Sequence, residues 1–187
     1  MCIRASYGSR ADFDSSVSGG AVFVEDALNL TPNWVLVSGL RYEYLTLDRG
    51  IDDQSAGTRD TFGQTFEDLS WRLGTVYDLT NKVQVFAQYN QASSPIGSLL
   101  LSNPTNAGFD LSEGHATELG ARADLWQDRV TLTTAVYRLS QDDIVTRDPA
   151  NPALSVQGGS LSAEGLEVDL TVRPHERWWI NLNGAWN

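Results

Sequence analysis

Residues 117–139 constrain the fold more than any other stretch. Thr117 to Trp126 and Val130 to Leu139 are two strand patterns separated only by Gln127-Asp128-Arg129, which is how a β-hairpin reads in sequence. In the first arm, Thr117, Leu119, Ala121, Ala123 and Leu125 alternate with Glu118, Gly120, Arg122 and Asp124. Successive side chains of a strand point to opposite faces, so one face is apolar and the other polar and charged. A tilted strand of about 9 to 11 residues is also what crosses the hydrocarbon layer of a bilayer. Both arms have that length.

The same two-sided pattern recurs along the chain. Val22, Val24, Leu28 and Leu30 oppose Phe23, Glu25, Ala27 and Asn29, and Pro32-Asn33 then turns the chain. Trp34, Leu36, Leu40, Tyr42 and Tyr44 oppose Gly39, Arg41 and Glu43. Trp71, Leu73, Thr75, Tyr77 and Leu79 oppose Arg72, Gly74 and Asp78, followed by a turn at Asn81-Lys82. Val83, Val85, Ala87 and Tyr89 oppose Gln84, Gln88 and Asn90, with Phe86 out of place on the polar side. After the central hairpin, Leu166, Val168, Leu170 and Val172 oppose Gly165, Glu167, Asp169 and Thr171. Residues 174–177 turn into a last strand, in which Trp178, Ile180, Leu182 and Trp186 oppose Asn181 and Asn183.

The connections alternate in length. Short turns fall at 32–33, 81–82, 127–129 and 174–177, and long polar or Gly- and Pro-containing stretches at 48–68, 94–115 and 141–159. Outer-membrane barrels have this asymmetry, with short periplasmic turns and long extracellular loops. A soluble sandwich has turns every ~8 to 12 residues without it. The expected fold is therefore all-β: a transmembrane antiparallel β-barrel segment of about eight up-and-down strands. Residues 1–20 are expected as a loop or the end of a preceding strand, and 21–187 as part of the barrel.

Composition excludes several functions. A formal charge of −11 and a pI near 4.4 argue against nucleic acid or an anionic surface as partner. Outer-membrane lipid is the partner that the apolar strand faces require. No apolar run approaches the ~18 residues of a membrane helix. Residues 1–6 lack the charged and apolar regions of a leader, and the single Cys2 forms no internal disulfide.

The charged residues Glu25, Arg41, Glu43, Arg72, Glu118, Arg122, Asp124, Glu167 and Asp169 all fall on polar strand faces. Their mixed signs suggest a hydrated interior with ion pairs, and no spacing couples an acid to a base, so no catalytic residues and no enzyme activity are expected. His115 and His175 lie at opposite ends and form no metal cluster, and no cofactor is expected. Gly19-Gly20 and Gly158-Gly159 precede no helix and read as turns or bulges rather than phosphate cradles. Trp34, Trp126, Trp178 and Trp179 border short turns while Trp71 and Trp186 fall at opposite strand ends, a distribution suited to two interface girdles.

Glu118-Leu119-Gly120-Ala121-Arg122, Leu125-Trp126, Arg129-Val130-Thr131-Leu132-Thr133 and Ala135-Val136-Tyr137 together resemble the barrel of TonB-dependent outer-membrane receptors. The likeness recurs in Val22-Phe23-Val24-Glu25-Asp26, Gly39-Leu40-Arg41-Tyr42, Gly74-Thr75-Val76-Tyr77-Asp78 and Gly165-Leu166-Glu167-Val168. It implies a Gram-negative outer-membrane receptor that imports ferric siderophores or similar scarce ligands, energised by the TonB system through a plug domain. Neither plug nor coupling box is recognisable, so we expect a barrel fragment truncated at both ends. In that family loops hold the ligand, which makes 48–68, 94–115 and 141–159 candidates by location, with no individual contact residue assigned. Two alternatives stay open: a self-contained eight-strand barrel with a structural or adhesive role, and a secreted carbohydrate-binding β-sandwich.

Overall fold

Alternation is carried into a single sheet. The computed structural model describes residues 11–94, 106 and 108–187. Its eight strands are β1 (Ala11–Thr31), β2 (Trp34–Asp53), β3 (Thr58–Thr80), β4 (Val83–Ser93), β5 (Glu113–Leu125), β6 (Val130–Arg147), β7 (Ser155–His175) and β8 (Trp178–Trp186). They lie in chain order, each antiparallel to the next, and no α-helix occurs among the described residues. β1 and β8 are the two edges of this sheet and do not pair with each other. A closed eight-strand barrel needs that pairing and a sandwich needs two packed sheets, so neither alternative describes this chain.

Register aligns the predicted faces. One row of in-register partners crosses all eight strands as Leu28, Leu36, Thr75, Ala87, Leu119, Val136, Leu166 and Trp186. The only polar member is Thr75, whose hydroxyl bonds the Val35 carbonyl at 3.1 Å. One residue along each strand, the row Ala27, Val37, Gly74, Gln88, Glu118, Tyr137 and Gly165 carries polar groups on the opposite face. We call the first face outer and the second inner. The outer face leaves Val22, Leu40, Leu73, Leu119, Val136 and Leu182 exposed, an apolar band of the kind that marks a membrane or protein contact.

The short turns stand side by side at one end. The Asn33 carbonyl accepts from Asp78 N–H at 2.8 Å, Lys82 from Asp124 at 2.8 Å and Arg129 from Arg173 at 2.7 Å, so each turn is stitched to the next hairpin. The β5–β6 turn holds Trp126, Gln127 and Asp128 in the left-handed region, with φ of 49°, 55° and 63°. Non-glycine residues adopt that region at some cost. Lys82, 3.4 Å from the Asp128 carboxylate, and the 3.2 Å bond from Arg129 N–H to the Trp126 carbonyl help to offset it.

At the other end the strands outrun their expected bounds. Residues 11–20, expected as loop or the end of a preceding strand, are the first half of β1 and pair residue by residue with 44–53 of β2. The stretch 48–68 is strand except for a tight turn at 54–57, and β6 and β7 extend through most of 141–159. Away from lipid both faces of a ribbon can be polar, so alternation fades while the backbone ladder persists. Residues 1–10, and 95–105 with 107 of the second expected loop, lie outside the described residues.

Two irregularities have local causes. Phe86 keeps its inner-face position because its in-register partner is Gly120: a Cβ there would collide with the phenyl Cζ. Gly158 is the extra residue between Gln157 and Gly159, which face Val145 and Ile144, and its φ of +132° makes the stretch a β-bulge. Gly19-Gly20 differs from expectation, since both residues sit in regular register opposite Leu45 and Tyr44.

Candidate functional site

The inner face bears every charged residue that the sequence pattern assigned to it. Arg72 reaches across Gly39 to Glu25 at 3.0 Å, Arg41 pairs with Glu43 at 3.1 Å and Arg122 with Asp124 at 3.6 Å. Gln88 donates to Glu118 at 2.7 Å, Gln84 to Asp78 at 2.8 Å and Thr131 to Asp124 at 2.6 Å. Glu167 and Asp169 share this face opposite Ala185 and Asn183. These groups are largely solvated, and exposed ion pairs contribute only ~0 to 1 kcal/mol each. Their role is to keep the wall wet and charge-patterned rather than to hold the sheet together.

Toward the long-connection end the inner face changes character. Leu45, Leu47, Phe62 and Phe66 are apolar there, and Phe109 and Leu111 from the β4–β5 connection pack on them. Leu47 and Phe66 are 1% and 2% exposed, and only Gly50, Asn106 and Ala135 join them as buried among the described residues. The one packed core among the described residues therefore lies between the wall and a segment folded over it. Gln64 Nε2 donates to the Phe109 carbonyl at 3.0 Å, anchoring the segment to β3.

The next residue of this strap is held by β7. The Gln157 side chain accepts from Asp110 N–H at 3.0 Å and donates to the Asp110 carbonyl at 2.9 Å and the Asp143 carbonyl at 3.0 Å. Asn106 Nδ2 adds a 3.4 Å contact to Ser155 Oγ. The Phe109–Asp110 peptide is thus clamped between side chains of β3 and β7. Each such bond contributes a net ~0.5 to 1.5 kcal/mol. In the full-length parent protein, Gln157→Leu is expected to speed proteolysis near residue 110 several-fold with folded yield unchanged. Unaltered digestion would show that the strap is held without Gln157.

Outer-face aromatics gather at two levels. Near the short turns the Trp34 ring meets Tyr77 edge-on at 6.5 Å and its Nε1 donates to Thr75 Oγ1 at 2.6 Å. Toward the other end Trp71, Tyr89 and His115 stack in sequence, with centroids 5.0 and 6.1 Å apart, and Tyr89 shares a 2.9 Å hydrogen bond with His115 Nδ1. His115 therefore belongs to β5 and not to a loop, while His175 closes β7, where its Nδ1 accepts from Arg177 N–H at 3.3 Å. No group of three potential metal ligands is assembled among the described residues. At the β2–β3 tip, the Ser55 hydroxyl and the Ala56 and Ser55 N–H groups hold the Asp53 carboxyl below the usual carboxylate range. Sequence reasoning placed the charged wall but missed the strap.

Comparison with known proteins decides what this wall belongs to. The family described as TonB dependent receptor-like, beta-barrel, matches residues 3–187. The chain belongs to the TonB-dependent receptor family. It is 23% identical over 180 residues to the probable TonB-dependent siderophore receptor PiuA of Acinetobacter baumannii, covering 92% of this chain and 24% of that protein. It is 26% identical over 172 residues to the metal-pseudopaline receptor CntO of Pseudomonas aeruginosa, covering 91% and 24%. The crystal structure of the A. baumannii siderophore receptor PiuA superposes with a TM-score of 0.83 at 22% identity, over 94% of this chain and 26% of that one. This TonB-dependent receptor chain spans about a quarter of the length of the curated relatives it matches. It is a segment of a Gram-negative outer-membrane β-barrel.

Proposed function

We propose that this chain is part of the barrel wall of a receptor that imports ferric siderophores or similar scarce ligands, energised through TonB. The match of the receptor barrel family over residues 3–187 carries this reading. The faces support it: an outer apolar band suits lipid, and an inner hydrated wall suits passage of a polar ligand. In this reading the parent protein also contributes the plug through which TonB acts and the strands that close the barrel. The ligand would meet the inner wall and the strap of residues 108–112 before it meets the short turns. The relatives named above carry siderophore and metal–pseudopaline ligands in their descriptions, which sets the ligand class proposed here.

The reading assigns sides. Tips at 54–57 and 150–153 face the exterior and turns at 81–82 and 126–129 face the periplasm. Protease sites inserted in the parent after Ser55 or Asn151 should be cut on intact cells, and sites after Asn81 or Gln127 should be protected. Cleavage at all four positions, or at none, would contradict the assignment. Import itself is tested by deleting the parent gene and measuring uptake of labelled ferric siderophores under iron limitation. Unchanged uptake and growth across hydroxamate, catecholate and carboxylate types would overturn it.

A further inference from the structure

Asp26 breaks the apolar set of β1. It lies on the outer face between Val24 and Leu28, opposite Ser38, with Leu36 and Leu40 flanking that serine. Its row continues through Leu73, Tyr89, Thr117, Arg138 and Glu164. The row climbs away from the short turns as it crosses the sheet. Asp26 stands five positions before the end of β1 at Thr31, whereas Glu164 stands eleven before the end of β7 at His175. A crossing takes about 9 to 11 residues, so Arg138 and Glu164 meet at 3.0 Å near or beyond the apolar band while Asp26 falls near its middle.

The carboxylate is exposed and has no hydrogen-bond or ion-pair partner among the described residues. Charge on the lipid face of a barrel is destabilising at mid-membrane, and intramembrane carboxylates are characteristically paired. The edge of β1 away from β2 has no strand beside it among the described residues. A barrel leaves no such edge in lipid. Directly opposed side chains on adjacent strands have Cβ atoms about 4.5 to 5.5 Å apart, within reach of a salt bridge.

We propose that Asp26 is half of an intramembrane ion pair, whose other half is a lysine or arginine on the strand that hydrogen-bonds the free edge of β1 in the complete barrel. The pair fixes the register of that seam, because a slip by one residue sends the basic group to the other face. This inference rests on the outer face meeting lipid, and the test separates the two.

The test uses the purified full-length parent, read by the temperature at which its compact monomer band converts to the unfolded band on semi-native gels, and by folded yield in outer membranes. Leu40→Asp, on the same face at a neighbouring position, reports the lipid contact alone: a normal yield would remove the lipid reading itself. If Asp26 is paired, Asp26→Leu strands a cation in hydrocarbon and lowers conversion temperature and yield, the latter three-fold or more, while Asp26→Glu stays near the wild type. If Asp26 faces lipid alone, Asp26→Leu removes a charge and raises both, which overturns the proposal, as does no change. Asp26→Lys supplies a second measure: suppressors restoring its yield are expected to replace a basic residue by Asp or Glu on the strand adjoining β1. Suppressors only elsewhere, or destabilisation seen only in membranes and not in the purified monomer, would assign the partner to another protein and overturn it.

Discussion

Placing arginine at Val168 or Leu170 of the full-length parent is expected to cut its folded yield several-fold, while Glu167→Gln and Arg122→Gln leave it nearly unchanged. Val168 stands on the outer face between Thr134 and Gly184, and Leu170 between Leu132 and Leu182. An arginine at the membrane midplane on that face costs ~2 to 4 kcal/mol, against a total stability of only ~5 to 15 kcal/mol for an ordinary domain. Glu167 is one residue away yet faces Ala135 and Ala185 on the inner wall, where water already solvates it. Orientation outweighs chemical type in this contrast. Equal yields for the two pairs of variants, measured by heat-modifiability in isolated outer membranes, would remove the lipid assignment of the outer face.

Expressed by itself behind an added export signal, the 187-residue chain is expected to collect as insoluble protein and to leave a receptor-deficient strain unable to grow on ferric siderophore. β1 and β8 each present one row of backbone groups with no strand beside it among the described residues. Each unpaired group in hydrocarbon costs several kcal/mol, so two such edges outweigh the apolar burial of an open sheet. Edge-to-edge association is the route left open. A detergent-stable, heat-modifiable monomer would show that the chain closes on itself, and restored growth would show that it transports without the rest of the receptor.

The membrane-crossing part was legible because lipid on one side and water on the other impose a period of two. Leu119 and Glu118, or Val168 and Glu167, declare their faces from adjacent positions, and the register confirms both. Beyond the bilayer that contrast disappears, so Ala11 to Gly20 and Thr58 to Asp68 read as loops although both are strand. Phe86 looked misplaced because its accommodation depends on Gly120, 34 residues away in sequence but directly opposed in the sheet.

The strap site did leave a signal, in the phase rather than the period. Along β2 the apolar positions are even through Leu36, Leu40, Tyr42 and Tyr44, then odd at Leu45 and Leu47. Along β3 they are even at Phe62 and Phe66, then odd from Leu69 to Leu79. A parity switch within one strand means that the buried face has changed sides, here from lipid to a folded-over segment. What it cannot reveal is which segment covers the new face, because Phe109 and Leu111 show no period of their own.

The length of β2 and β3 has a mechanical consequence. β2 has 20 residues and β3 has 23, of which a crossing uses about 9 to 11. At about 3.3 Å per residue the remaining ribbon rises on the order of 30 Å along its own axis, and a strand tilt near 40° still leaves more than ~20 Å of vertical height. The tip at residues 54–57 is therefore carried on a stiff hydrogen-bonded mast rather than a tethered coil. A fluorophore at Ser55 should tumble with the whole barrel, and an antibody or phage protein meeting that tip would exert its force on the packed Leu47–Phe66 junction at the mast's foot.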